Sequence, residues 1–540
     1  MTSKPTIRRP SAVAGLTTTV ALVAMAIGTG APAAAATDRL VIAISPPTVE
    51  TNRFWAGGDW SSVGQAMEML VGADPETGEL DNSALAESWT VSDDSRVWTF
   101  ELKQGVEFHH GWGEVTAEDV VHSYELHTGP DVTLTAVGLM RGAEVEAVDR
   151  YTVRFTFDDP RQDFLFMNGP RGSMYIYSKR QYDEEGLDGY DRLMVGTGHY
   201  RFVERGPGRI LYERIEDHHS GIVPEFPEME LRFIGEPATS LAMLLAGEAH
   251  IADLPRELMP DAVDAGMEII QSLNPTMQTD IVFNGLYCTD GDPACRPDLP
   301  WADVRVREAM NRAINRDEMI EVLFEGRAEK LVRYAMNEGH EGYDPSLADR
   351  FDEWYGYDPE RAKELLAEAG YPESFPEPVI PLVLTEIRGQ PELATQTELV
   401  QIYFEAVGLQ TEIRQLDHAA MGALGRGRQA YVLNPMRNAP IRPTEIAFRA
   451  FYTTTGGAYQ GWEEQETVDM IEAFIHATDP EERDDIARDI FNRLFEQYND
   501  IPLFEVFTEV AVNPDVVAGW TFPGVTSEGI GHWHLIEAAN

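Results

Sequence analysis

A chain of 540 residues with 91 Asp and Glu against 42 Lys and Arg, a formal net charge of -49, repels a phosphate backbone, and nucleic acid is excluded as a partner. That length exceeds what one hydrophobic core serves, so two or three lobes with a cleft between them are expected. Beyond residue 36 every apolar run is broken by charge, Gly or Pro before the roughly 20 residues that a membrane span needs.

Lys4, Arg8 and Arg9 precede an apolar run over 12–27 and the small-residue tail Ala33-Ala34-Ala35-Ala36, the pattern of a cleaved export signal over residues 1–36. Thr17, Thr18 and Thr19 dilute the run too far for an anchor. No bulky apolar residues follow Arg8-Arg9, which favours the ordinary secretory route over the twin-arginine one. A periplasmic location, free in solution, is expected.

Residues 39–44 read as a buried strand, stopped by Ser45-Pro46-Pro47 and a loop holding Trp55 and Trp60. Residues 98–102 alternate in strand fashion, and Thr116-Ala-Glu-Asp119 reads as a helix cap. Strands over 151–157 and 200–203 are followed by a helix over 237–246 that Gly247 ends. Strand 281–283 precedes Cys288 and Cys295, for which an exported compartment favours a local disulfide over a metal site. Residues 304–314 carry helical spacing, and Asp358-Pro359 to Gly370 shows an N-cap, Pro at the first helical position and a Gly stop. Strand 380–385, helix 392–407 and strand 410–414 imply a parallel pair with a right-handed crossover.

No phosphate loop, His-Glu-x-x-His helix or Gly-x-Ser-x-Gly elbow is present, so no catalytic residue and no cofactor is assigned. Gly206-Pro-Gly208 and Gly425-Arg-Gly427 read as turns. His109-His110 and His218-His219 are read as surface or packing residues, because neighbours on a strand point to opposite faces; His532 and His534 share a face if that tail is a strand, but a complete site needs further carboxylate or His partners, and no metal site is expected.

Leu85-Ala-Glu-Ser-Trp89, Gly105-Val-Glu-Phe-His109 and Thr116-Ala-Glu-Asp-Val-Val-His-Ser-Tyr124, with Gly196-Thr-Gly198, Ala246-Gly247-Glu248 and Ala313-Ile-Asn-Arg-Asp317, resemble the signature of the dipeptide- and oligopeptide-binding proteins, the extracellular solute-binding family of peptide, nickel and opine importers. The resemblance implies an α/β, periplasmic-binding-protein-like fold: two mixed-sheet lobes joined by a hinge, plus a smaller extra domain. The corresponding division is 37–70, 195–282 and 508–540 for the first lobe, 71–194 for the extra domain and 283–507 for the second lobe. It implies a monomeric receptor that closes on a small solute, a peptide or a carboxylated compound, and hands it to the membrane permease subunits of an ABC importer.

Two loops that follow strands carry arginine, as ligand loops at strand carboxyl ends would. Arg388 looks like the position where dipeptide binders hold the peptide carboxylate. Peptide binders place an Asp in the segment matching 434–443; here Asn434, Arg437 and Arg442 stand with no carboxylate before Glu445, which points toward an anionic ligand group. Trp55 and Trp60 are candidate cleft walls, and Phe283 and Asn284 are hinge or pocket candidates.

Overall fold

The computed structural model describes residues 37–540 apart from 48, 77–78, 131, 134–139, 163, 170–171, 173, 339, 372–378, 386–391, 439–443, 454–461, 522–531 and 540. The expected export signal over 1–36 lies outside the described residues.

Strand Arg39–Ile44 is buried over all but its first residue, as an apolar run without alternation must be when both faces are covered. It pairs in parallel with Glu228–Phe233 and with Ile251–Ala252, at the centre of a seven-stranded sheet. The order is Tyr200–Gly206, Arg209–Arg214, Glu228–Phe233, Arg39–Ile44, Ile251–Ala252, Glu509–Val512, Glu268–Gln271. Leu40, Ile42, Tyr200, Tyr212, Leu231 and Trp533 form the core on one face.

Between residues 71 and 194 stands a separate four-stranded antiparallel sheet, Ala86–Val91, Val97–Leu102, Thr152–Phe157, Ala143–Ala147. It has its own core around Phe100, Phe155 and Phe164. The helix Ala117–Thr128 covering it starts on the expected cap, where the Thr116 N–H and hydroxyl both donate to Asp119 at 2.8 Å.

The second large sheet has six strands in the order Ala328–Lys330, Asp500–Val506, Met277–Phe283, Leu433–Asn438, Ile380–Leu384, Thr411–Gln415. Its outer pair is the parallel one expected, Ile380 opposite Thr411, with helix Glu392–Ala406 between them in sequence. Asp358 accepts from the Arg361 N–H at 2.9 Å and Pro359 opens the helix Pro359–Glu368.

Three expectations shift. The strand expected over 281–283 begins at Met277, so the second sheet starts before the lobe boundary at 283. Residues 434–438, expected in a loop that follows a strand, are themselves strand, Leu433–Asn438. Gly425 sits inside the helix His418–Arg426 and only Gly427 ends it, whereas Gly206 to Gly208 does turn, between two antiparallel strands. Cys288 and Cys295 form a disulfide. No helix among the described residues is long and apolar enough to cross a membrane.

Candidate functional site

The chain passes between the two large sheets twice, over 272–276 and over 507–508. Met277 lies opposite Val506 and Gln278 opposite Asn438, while Leu433–Asn438 runs parallel to Ile380–Leu384. One edge of the second sheet therefore carries the carboxyl ends Leu384, Gln415, Asn438 and Val506 beside the start of Met277–Phe283. In the first sheet Gln271 lies opposite Glu509 and Ala252 opposite Ala511, so Ile44, Phe233 and Ala252 end toward the same crossing. Both sheets turn the carboxyl ends of their parallel strands to one place, and in open α/β sheets ligands bind outside those ends.

The crossing segments are tied side by side. Ser272 N–H donates to the Thr508 carbonyl at 2.9 Å, Thr508 N–H to Ser272 Oγ at 3.2 Å, and Thr276 N–H to the Val506 carbonyl at 2.9 Å. The Thr276 and Thr508 hydroxyls meet at 2.7 Å. Glu509, just past the second crossing, is ion-paired with Arg256 from the first-sheet side and, at 2.7 Å, with Arg327 from the second-sheet side. Arg256 also reaches Glu392 at 3.5 Å and lies over the Phe324 ring. A further contact joins the inserted segment to the second-sheet side, Gln162 Nε2 to the Ala477 carbonyl at 3.0 Å.

The residues singled out from sequence are dispersed. Trp55 is a core residue, 3% exposed and edge-on to Tyr177 and Tyr190, so it walls no cleft; its three-residue turn folds it inward against these rings. Phe283 is fully buried in the second core. Asn284 is buried too, donating its N–H to the Val432 carbonyl and accepting from Trp301 Nε1; both stand a full strand away from the crossing at 272–276. Asn434 is buried in its strand opposite Val282, its amide 2.8 Å from Met436 Sδ. Arg437 stands opposite Thr279 on the same strand. Arg388 and Arg442 lie outside the described residues.

Polar residues unremarked in the sequence are buried along the second sheet, from Gln278 at the crossing edge to Asp500 opposite Val282 near the far end. Gln278 Nε2 donates to Glu505 at 2.6 Å and to Asn337 at 3.2 Å. Asn438 Nδ2 donates to Asp280 at 2.9 Å, and Arg333 pairs with Asp500 and the Tyr452 hydroxyl. Burial, with Asp500 nearby, pushes the Asp280 carboxyl well above its ordinary value although Arg333 opposes the shift.

Trp60 has a different place from Trp55. It lines a cavity of about 340 Å³ with Met67, Glu68, Tyr175, His199 and His534, all from the first-sheet stretches and the inserted segment. Gly196 and Gly198 let the chain lie directly on residues 65 and 66: a Cβ at Gly198 would come 2.6 Å from the Gln65 carbonyl oxygen. That close approach sets His199 at the cavity, its ring stacked 3.8 Å from His218 on one side and 3.8 Å from His534 on the other.

His218 and His219 come together here, against the expectation that neighbouring histidines diverge. They sit in a turn after Arg209–Arg214, not in a strand, so the two-residue alternation does not apply, and their rings lie 4.3 Å apart. His219 Nε2 donates to Glu68 at 2.8 Å, and His218 Nε2 is 3.7 Å from the other Glu68 oxygen. One donor atom from each of these three side chains lies within 4.8 Å of the others. Burial works to raise the Glu68 carboxyl, but hydrogen bonds and charge from both histidines outweigh it and hold the group below its ordinary value. Burial lowers His199 to about 3 and His532 to about 4, which leaves neutral imidazoles at the cavity. His109 and His110, in a tight turn, are 6.4 Å apart with His110 exposed.

The model of the bacterial extracellular solute-binding proteins, family 5 (middle), matches residues 82–457. The chain is similar to heme-binding protein A of Haemophilus influenzae, 29% identical over 316 residues, 54% of each chain. It is similar to the glutathione-binding protein GsiB of Salmonella paratyphi A, 30% identical over 300 residues, again 54% of each. The chain spans about half the length of the curated relatives it matches. Among solved structures, HbpA2 of Haemophilus parasuis shares the fold with a TM-score of 0.77 at 20% identity, covering 93% of this chain and 100% of that one.

Proposed function

Because the chain belongs to the bacterial extracellular solute-binding proteins of family 5, we propose that it is the receptor of an ABC importer. It captures a peptide or related carboxylated solute between its two large sheets and delivers it unchanged to a membrane permease. The observation that carries this reading is the convergence of both sheets' strand carboxyl ends on a crossing of only two short segments, the arrangement a hinge between two lobes requires. Closure encloses the solute, and release reverses it. The receptor acts as a periplasmic monomer without chemical turnover.

The arginines favour an acidic group on the solute. Arg388, Arg437 and Arg442 fall in or after two parallel strands at the crossing edge, and the overall charge of -49 would otherwise repel an anion. Glutathione, which the similar Salmonella protein is named for, is a tripeptide with two carboxylates and fits this reading.

The test is native mass spectrometry of protein purified from periplasm against the denatured chain, followed by titration with the molecule recovered. Binding of one solute per chain, with the solute recovered intact, supports the receptor. Arg442→Ala should weaken an acidic solute by about 1–3 kcal/mol. Turnover of the bound molecule overturns the receptor reading, and unaltered affinity in both Arg437→Ala and Arg442→Ala overturns the acidic-group reading.

A further inference from the structure

We propose that Glu68, His218 and His219 form a binding site for a first-row divalent transition-metal ion beside the histidine-lined cavity of the first-sheet unit. This site is separate from the crevice between the sheets and does not depend on which solute is carried. Two imidazoles and a carboxylate are a donor set that zinc takes with one position left for water or a solute atom, and imidazole nitrogen selects such ions over magnesium or calcium.

The geometry is near what coordination needs. Donors bound at about 2.1 Å on opposite sides of one ion stand at most about 4.2 Å apart, and the three donor atoms already lie within 4.8 Å of one another. The Glu68–His219 pair is closer, at 2.8 Å, so an ion entering between them takes Nε2 as its ligand atom and moves the His219 ring proton to Nδ1. His219 Nδ1 is buried without a hydrogen-bond partner, so no existing bond is broken when the ring proton moves onto it.

The proton bookkeeping also closes. His218 now donates from Nε2 to the Thr197 carbonyl at 3.0 Å and accepts at Nδ1 from the Ser220 hydroxyl at 2.8 Å. Coordination through Nε2 moves the ring proton to Nδ1, where Ser220 Oγ accepts it. The Ser220 hydroxyl proton then turns to His199 Nε2, 3.1 Å away, with His199 in the tautomer that carries its proton on Nδ1. The cost is the 3.0 Å bond to the Thr197 carbonyl and the 3.2 Å bond from the Ser220 N–H. The ligating imidazole keeps Ser220 Oγ as the partner of its other nitrogen, as metal-bound histidines require. Glu68, His199, His532 and His534 all line the cavity, which supplies the route for the ion and the room for a fourth donor.

The experiment uses untagged full-length protein freed of metal by chelator and titrated with zinc chloride by calorimetry, with metal content read after gel filtration. One zinc per chain is expected, with micromolar or tighter affinity and a rise in the thermal midpoint on zinc addition. Glu68→Gln and His219→Gln should each weaken binding at least about 100-fold, while His476→Gln, on an exposed helix end, should leave it unchanged. If His219→Gln does not fold, Glu68→Gln decides, because its amide oxygen still accepts from His219. Absence of stoichiometric zinc, an unaltered affinity in Glu68→Gln, or an equal loss in His476→Gln overturns the site.

Discussion

Replacing Glu509 by Gln should destabilise the protein through one buried ion pair at the crossing. The Glu509 side chain is 3% exposed and that of Arg256 14%, while Arg327 on the other oxygen is 34% exposed. Removing one member of a buried pair costs about 3–5 kcal/mol, mostly because the remaining charge is left uncompensated. The half-solvated Arg327 pair adds no more than about 1 kcal/mol. The amide of Gln keeps one acceptor for Arg256, and Arg256 retains the Phe507 carbonyl at 2.8 Å and Glu392 at 3.5 Å. The expected loss is therefore at the low end, about 3 kcal/mol. Urea unfolding followed by tryptophan fluorescence measures it, in a cycle with Arg256→Gln and the double variant. Because the double variant removes the orphaned guanidinium, the coupling should be about 2 kcal/mol. A loss below about 0.5 kcal/mol in Glu509→Gln, or a double variant equal to the sum of the singles, would refute the argument that this pair clamps the hinge.

Asp280→Asn should stabilise the protein at neutral pH, because a carboxyl whose folded value is raised binds protons more tightly folded than unfolded and so loses stability as pH rises above its ordinary value of 3.8. The gap between variant and parent should close as pH falls toward that value, and urea midpoints between about pH 4 and 8 would show a variant less stable at neutral pH if the carboxyl were ionised at no cost. Gln162→Ala removes the 3.0 Å bond to the Ala477 carbonyl and should cost about 1 kcal/mol. Amide exchange at residues 477–479 should speed up selectively, and a uniform or absent change would count against a contact that matters. A Cys288→Ser, Cys295→Ser pair opens a loop whose closure is worth roughly 2.5 kcal/mol, read as a lower urea midpoint; an unchanged midpoint would show the loop already ordered when unfolded.

What the sequence reveals well is local and repeated along one stretch. Asp358, Pro359 and Gly370 mark a helix through backbone needs that neighbours cannot alter, and the strand–helix–strand over 380–415 follows from apolar period and length. The strand start at Met277 is hidden because Gln278, Thr279 and Asp280 look too polar for a buried strand; each is buried because partners distant in sequence satisfy it, Glu505 and Asn337 for Gln278, the Phe504 N–H for Thr279 and Asn438 for Asp280. Asn434, Pro435 and Asn438 spell a turn, yet they form a strand. Its second edge is paired only at Leu433 among the described residues, so the missing N–H of Pro435 falls beyond that pairing. The histidine site is invisible in sequence for a different reason: Glu68, His199, His218 and His534 are brought together by four separate stretches of chain, and no short spacing announces them.

The order of the strands in the first sheet fixes an order of assembly. Its strand Glu509–Val512 lies between Ile251–Ala252 and Glu268–Gln271, although it is made more than two hundred residues later. The second sheet, drawn wholly from 277–506, has all its strands as soon as residue 506 has emerged. During synthesis and export the earlier-made sheet must wait with an open seam, and the later one can close first, reversing the usual N-terminal-first sequence. Any chain cut short before Val512 leaves Ile251–Ala252 and Glu268–Gln271 as unpaired edges available to other chains.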